Sequence, residues 1–120
     1  MTNTYKCGDK DIRPWGIWEI LSVGANFCVK KICVKPHSKL SLQLHYHRSE
    51  HWIIVKGKAK ITLGDEKFLK KENESIFIPL KTIHRIENDT DENVEFIEVQ
   101  IGEILDENDI VRIEDAYDRV

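Results

Sequence analysis

No run of apolar residues in this chain of 120 approaches the ~20 needed to span a bilayer. The N-terminal residues Met1-Thr2-Asn3-Thr4-Tyr5-Lys6-Cys7-Gly8-Asp9 lack the apolar core of a secretory signal. A net charge of −3 leaves no basic footprint for nucleic acid. Three cysteines, Cys7, Cys28 and Cys33, are an odd number without metal-type spacing, so they are expected as buried reduced thiols. Cys28 and Cys33 have opposite parity on one predicted strand and should face opposite sides. No internal repeat, low-complexity tract or linker is present. These absences predict a cytoplasmic protein with neither membrane nor nucleic acid as partner. What remains is 41% hydrophobic and 32% charged, enough for one globular domain over 1–120 with an N-terminal arm of about 1–12.

The pattern of the rest is that of an all-β chain. Predicted strands cover Trp15–Leu21, Phe27–Val34, Leu40–His45, Trp52–Val55, Ala59–Leu63, Lys67–Leu69, Ser75–Ile78, Ile83–Glu87 and Val94–Ile101. Residues 106–112 are read as one helical turn or a short strand. Turn residues recur roughly every 8–12 residues, the spacing of sandwiches and barrels. The predicted architecture is a jelly-roll or small β-barrel. Leu40, Leu42 and Leu44 share one face of their strand, and Ser41, Gln43 and His45 the other. In an open sheet such a polar face is solvated; in a small barrel it lines an interior cavity.

The residues most charged with chemistry are Gln43-Leu44-His45-Tyr46-His47-Arg48-Ser49-Glu50-His51-Trp52, which hold three of the five histidines. Gln43 and His45 point the same way, and Glu50 lies past a tight turn at the start of the next strand. Antiparallel pairing of those two strands would set Glu50 beside them, and His84 could close the group from another strand. Two imidazoles, one carboxylate and one amide suit zinc, manganese, iron, cobalt or nickel without selecting among them, and zinc is the ion expected.

His45, then four residues, Glu50, six residues and Gly57 resembles the first cupin motif, with Gln43 in the place of its first histidine. Pro79-Leu80-Lys81-Thr82-Ile83-His84-Arg85-Ile86-Glu87-Asn88 resembles the second. Asn73 and Lys81 stand where those motifs usually have glycine, so the local turns are expected to differ. Arg13-Pro14-Trp15-Gly16, His45 through Trp52, Glu72-Asn73-Glu74-Ser75, Glu98-Val99-Gln100 and Asp109-Ile110-Val111-Arg112 narrow the resemblance. Over about residues 10 to 119 the chain is similar to the C-terminal domain of type II mannose-6-phosphate isomerases. Such domains are usually fused behind a mannose-1-phosphate guanylyltransferase domain, for which 120 residues leave no room. The resemblance implies a double-stranded β-helix and metal ligation by Gln43, His45, Glu50 and His84. It also implies isomerisation of mannose 6-phosphate to fructose 6-phosphate.

Around that core, His47 is expected as the general base, with a base elsewhere in the barrel as the rival; the alternatives for His47 itself are ligation in place of Gln43 and an ordered place at the rim. Arg48 is expected to stabilise an enediolate or fix the phosphate. Ser41, Lys30 and Arg85 join it as substrate-binding candidates, although Arg85 should point away from its neighbour His84. Arg13, Lys30 and Arg112 are candidates for phosphate binding or structural ion pairs. Glu98 and Gln100 either hydrogen-bond the ligands or form a solvated face. His51 should face the opposite side of its strand from Glu50. Trp15, Trp18 and Trp52 are expected in the core, with Trp52 walling the cavity. A homodimer is expected, through edge strands or an arm around Asp11 to Leu21. Rival functions are another cupin metalloenzyme, such as a dioxygenase or another sugar isomerase, and a non-catalytic metal- or sugar-binding module.

Overall fold

The computed structural model describes residues 2–117; Met1 and residues 118–120, part of the expected 1–120 domain, lie outside the described residues. Those residues form fourteen strands and no helix. In chain order they are β1 (Thr2–Asn3), β2 (Lys10–Arg13), β3 (Gly16–Val23), β4 (Phe27–Val34), β5 (Ser38–Lys39), β6 (Leu42–Leu44) and β7 (Arg48–Lys56). Then follow β8 (Ala59–Leu63), β9 (Glu66–Lys70), β10 (Ser75–Ile78), β11 (His84–Asn88), β12 (Val94–Gly102), β13 (Ile104–Leu105) and β14 (Val111–Glu114).

One sheet runs β10-β7-β12-β4-β3-β2 and the facing one β14-β6-β11-β8-β9, with β5 also on β11. All pairings in these two sheets are antiparallel. Period-2 alternation fixes what each strand buries. On β4 the inward residues are Cys28, Lys30, Ile32 and Val34; on β7 they are Arg48, Glu50, Trp52 and Ile54. Ile54, Phe96, Ala59, Ile61 and Ile86 are at most 1% exposed and form the apolar end of the interior.

The predicted β4, β8 and β10 match the observed strands residue for residue, whereas only Leu42–Leu44 of the predicted Leu40–His45 strand is strand, with the short β5 just before it. The helical alternative for 106–112 does not form; a turn leads into β14 instead. The expected arm folds onto its own chain. β1 runs parallel to β13, and Asn3 donates its side-chain amide to the carbonyls of Gly24 and Phe27. Tyr5 packs edge-on against Trp18, centroids 6.3 Å apart, and β2 and β3 pair with each other.

Two expectations change. Cys7 is exposed, its thiol donating to the Leu21 carbonyl, because it lies in a turn before β2. Only Cys28 is fully buried; Cys33 lies on the opposite face of β4, partly exposed. The turns at Asn73 and Lys81 keep the left-handed conformation that glycine favours, with φ of 72° and 58°. Lys81 is held there while its backbone N–H donates to the His45 carbonyl at 2.8 Å.

Candidate metal centre

β6 does not pair with β7: it lies between β14 and β11, and the two strands are in opposite sheets. Glu50 therefore meets His45 across the barrel interior and not along an antiparallel ladder. His84, the first residue of β11, is the register partner of Gln43 on β6. Directly opposed residues project to one face, with Cβ atoms about 4.5–5.5 Å apart. The polar face of residues 41–45 is consequently the buried one: Ser41, Gln43 and His45 are buried, while Leu40, Leu42 and Leu44 are only partly so.

One ligand atom each from His45, Glu50 and His84 lies within 4.8 Å of the other two. His45 Nε2 stands 3.4 Å from Glu50 Oε2, and His84 Nε2 4.0 Å from Glu50 Oε1. Donors bound to one ion at about 2.0–2.2 Å are roughly 3–4 Å apart, so the separations suit a single cation. The ring orientations decide the fit. His45 Nδ1 lies 2.6 Å from the Asp109 carbonyl and His84 Nδ1 2.9 Å from the Thr82 carbonyl. A carbonyl only accepts, so each Nδ1 carries the hydrogen and each Nε2 presents its lone pair toward Glu50. Gln43 lines the same cavity and offers an amide oxygen. These residues fit a divalent transition metal, and their mixed nitrogen and oxygen donors do not choose among the candidates.

Electrostatics keep the donors in the ligating form. Burial, helped by the Arg48 charge and opposed by Glu50, pulls the His45 imidazole down to about 4. Burial lowers His84 as well, so both rings are neutral near pH 7 and their contacts with Glu50 are not ion pairs. Burial alone would raise Glu50, but Arg48, followed by the two histidines, holds it far below the usual carboxylate range. Trp52 donates its indole N–H to both Glu50 Oε1 (2.9 Å) and Glu98 Oε1 (3.0 Å). Gln100 donates to Glu98 at 2.7 Å. Burial and the neighbouring Glu50 charge push Glu98 up to about 8. Glu98 and Gln100 thus face inward, and Glu98 reaches the ligands through Trp52. Trp52 also packs edge-on against His84 at 5.6 Å.

Arg48 lines the cavity, but its donors are committed. Nε donates to Glu50 at 2.8 Å, Nη1 to the Asp106 carbonyl at 3.3 Å, and Nη2 reaches His45 Nε2 at 3.3 Å. Its geometry is that of a group orienting the donor set. His47 does not reach the cavity. β6 ends at Leu44, residues 46–47 bend outward, and the alternation that would carry His47 inward stops. Its ring is exposed and its backbone N–H donates to Asp109. Arg85 points away from the site, donating to the Leu40 carbonyl and to Glu114. Ser41 and Lys30 do line the cavity. Trp15 and Trp18 are both buried and cavity-lining, and His51 is exposed, its ring tilted at 45° against Phe77 with centroids 4.7 Å apart.

Sequence reasoning missed the turn at 106–109. Asp106 holds Arg48, Glu107 pairs with Lys30, and the Asp109 carbonyl fixes the His45 tautomer. The Asp109 carboxylate accepts from the backbone N–H groups of Tyr46 and His47, each at 3.0 Å. Lys30 holds Glu107 below its ordinary range against burial, and Lys30 itself sits over the rings of Tyr5 and Trp18. The run of acidic residues was the available signal, but it reads equally as a solvated turn.

A fold of this kind is shared by many solved structures, and comparison narrows the choice. The family model described as "Mannose-6-phosphate isomerase C-terminal" matches residues 2–115. The chain belongs to this family. It is 52% identical over 110 residues to the xanthan biosynthesis protein XanB of Xanthomonas campestris pv. campestris, covering 92% of this chain and 24% of the relative. It is 50% identical over 107 residues to the alginate biosynthesis protein AlgA of Pseudomonas aeruginosa, covering 89% of this chain and 22% of the relative. This family chain therefore spans about a quarter of those relatives' length. Among solved structures it resembles the capsular polysaccharide assembling protein CapF of Staphylococcus aureus, with a TM-score of 0.76 and 22% identity. That match covers 92% of this chain and 33% of CapF. A conserved protein of Klebsiella pneumoniae described as having a double-stranded β-helix domain matches with a TM-score of 0.70 at 15% identity, over 80% of this chain and 77% of that one, and shows the fold to be the double-stranded β-helix.

Proposed function

We propose that this domain binds one divalent transition metal, zinc before manganese, iron, cobalt or nickel, and interconverts an aldose phosphate and a ketose phosphate. The favoured pair is mannose 6-phosphate and fructose 6-phosphate. The observation that carries the reading is the pair of neutral imidazoles, tautomerically fixed toward one buried carboxylate, in a cavity of a mannose-6-phosphate isomerase family member. A metal held by Gln43, His45, Glu50 and His84 supplies Lewis-acid stabilisation of negative charge on sugar oxygens, with no change of oxidation state.

The chain's own residues supply the rest. The base takes the proton from C2 of the open aldose, electron density moves onto the C1 oxygen, and a proton returns to C1 as the C2 oxygen becomes the carbonyl. With His47 outside the cavity, proton movement falls to the cavity's other carboxyl groups, Glu98 and Glu107. Arg48 fixes Glu50 and His45 in place, and Trp15, Trp18 and Trp52 exclude water from the interior.

In this reading the protein works in the cytoplasm on a small sugar phosphate, as a homodimer. Half-exposed Ile53, Val55, Phe77 and Ile101 on the outer face of the β7-containing sheet support self-association. No helix among the described residues is long and apolar enough to cross a membrane. The test is a coupled isomerase assay on a sample whose metal content is measured in parallel. Metal-dependent turnover of mannose 6-phosphate is expected; oxygen consumption, or sugar-phosphate binding without turnover at full metal loading, would favour the rival cupin functions.

A further inference from the structure

Among the described residues, three carboxyl groups line the cavity: Glu50, Glu98 and Glu107. Moving a proton between adjacent carbons needs a carboxylate that is ionised, clear of the ion and able to touch the substrate. Glu50 belongs to the donor set. Glu98 is 5% exposed, and both of its oxygens already accept hydrogen bonds, Oε1 from the Trp52 indole at 3.0 Å and Oε2 from Gln100 at 2.7 Å. A carboxyl enclosed in this way braces the wall of the cavity.

Glu107 is placed differently. It sits on the turn between β13 and β14, and its side chain is 36% exposed while still lining the cavity. Lys30 holds one of its oxygens from the floor. That floor is a row of directly opposed inward residues, Trp52 on β7, Glu98 on β12 and Lys30 on β4. The Asp106 carbonyl beside Glu107 accepts from Arg48 Nη1 at 3.3 Å, and Arg48 Nη2 lies 3.3 Å from His45 Nε2. The turn that carries Glu107 therefore stands one guanidinium from the donor set. It is also rigid: the Asp109 N–H donates to the Asp106 carbonyl at 3.1 Å and the Asn108 N–H to the Asp106 carboxylate at 2.8 Å. Burial alone would raise Glu107, but Lys30 on β4, followed by Arg48 on β7 and the Tyr5 hydroxyl, holds it below its ordinary range and so ionised at neutral pH.

We propose that Glu107 is the general base that carries the proton from C2 to C1 of the open aldose, and that Lys30 is the positioning residue that holds it over the cavity. This assignment rests on the isomerase reading above and gives to one residue the step shared there with Glu98. The Glu107 carboxylate takes the C2 hydrogen as a proton. The electron pair of that bond becomes the C1–C2 double bond, and the former carbonyl pair rests on O1. The O2 hydroxyl proton passes to O1, O2 forms the new carbonyl at C2, and the C1–C2 pair takes the proton back from Glu107 at C1. The carboxylate is restored and nothing is oxidised or reduced overall. Because Glu107 is open to solvent, part of the carried hydrogen exchanges with water on the way.

The test uses the metal-loaded full chain, mannose 6-phosphate deuterated at C2, and the variants E107Q, E107D, E107A, E98Q and K30Q, with E103Q as the same change on an exposed carboxylate. Metal content and melting temperature monitor folding. The parent is expected to move part of the label to C1 of the ketose and lose the rest to water. E107Q should lose about 10²–10⁴-fold in kcat, with KM changed by less than threefold and metal content intact, and E103Q should match the parent. Formate should restore at least tenfold of the lost rate to E107A, which a merely structural role would not allow. K30Q should move the acid limb of kcat/KM to higher pH, since the cation that keeps Glu107 ionised is gone. Should E107Q fold poorly, E107D keeps a carboxylate and is expected at an intermediate rate. An active parent with E107Q within threefold of it overturns the assignment and leaves the isomerase reading standing. So does label transfer that persists in E107Q and vanishes in E98Q. A loss in E107Q that comes with loss of metal and no formate rescue in E107A also overturns it. A metal-loaded parent that neither isomerises the sugar nor exchanges its C2 hydrogen overturns the isomerase reading and the assignment together.

Discussion

Along β7, β11 and β12 the inward side chains change character halfway. At one end they are Arg48 and Glu50, His84, and Gln100 and Glu98; at the other they are Ile54, Ile86, and Phe96 and Val94. Trp52 stands between, donating to Glu50 and Glu98 on one side and packing on Phe96 at 5.1 Å on the other. Burial is nearly the same at both ends: Glu50 is 1% exposed and Phe96 0%. The apolar end is held by area removed from water and close packing. The polar end survives burial only because nearly every group has a partner, chiefly through Arg48, Trp52 and the 106–109 turn. Equal dryness thus carries stability in one half and chemistry in the other.

Paired substitutions test that division most severely. Glu50→Gln leaves the Arg48 guanidinium buried without its carboxylate and should cost about 3–5 kcal/mol. Phe96→Ala opens a cavity at the other end and should cost a similar ~3–5 kcal/mol. Denaturant unfolding is expected to show comparable losses. Metal analysis at low temperature should separate the two: the Glu50 variant loses the ion and the folded Phe96 variant keeps it. Equal metal content in both would erase the distinction.

The pH dependence of the metal-free protein should also belong to the polar half. His45 ordinarily titrates near 6.5 and in the fold near 4, so between those values the unfolded chain binds the extra proton and stability falls with acid. His84 acts in the same direction. Glu98 has the opposite sign: raised from 4.5 to about 8, it favours the folded state at low pH and loses that contribution as pH rises. Below pH 6.5 the two histidines outweigh it; above, Glu98 acts without them. Melting temperature is expected to peak near pH 6.5, with an alkaline decline of about 1–2 kcal/mol by pH 8. Glu98→Gln should flatten that decline, and Phe96→Ala should leave its shape intact.

A smaller effect is expected from the turn that braces the polar end. Asp109→Ala removes both acceptors for the Tyr46 and His47 N–H groups and loosens the carbonyl that orients His45. Metal affinity should fall about tenfold, as for other groups that orient a ligand, with a stability loss of about 1–2 kcal/mol. The smallest change is Lys81→Gly, which relieves a positive φ of 58°. Thermal unfolding should show a gain of about 1 kcal/mol, with metal binding unaltered.

Much of this molecule is legible in the residue pattern. Runs of β-type residues bounded by Pro36 and by turn residues located β4 and β8, and the spacing of His45, Glu50 and His84 singled out the residues that the fold brings together. What alternation cannot give is which face is inside. For residues 40–45 alternation left the leucine face and the Ser41, Gln43 and His45 face as alternatives, and the closing of two sheets over the strand puts the polar one inside. It also fails where a strand stops. His47 has the parity of His45, but the chain bends after Leu44 and Asp109 holds the bend. The β1–β13 pair escaped notice since two residues carry no periodicity and the partners are about 100 positions apart. Contacts made by backbone, such as the Asp109 carbonyl on His45, leave no trace in side-chain identity.

Anomalous diffraction from crystals of the metal-loaded protein tests the central claim most directly. A single strong peak is expected within about 2.0–2.2 Å of His45 Nε2, His84 Nε2 and a Glu50 oxygen, with the Gln43 amide oxygen as the fourth donor. A fully loaded crystal with its peak elsewhere, or with Glu50 still closed on Arg48 and no ion beside it, would contradict it.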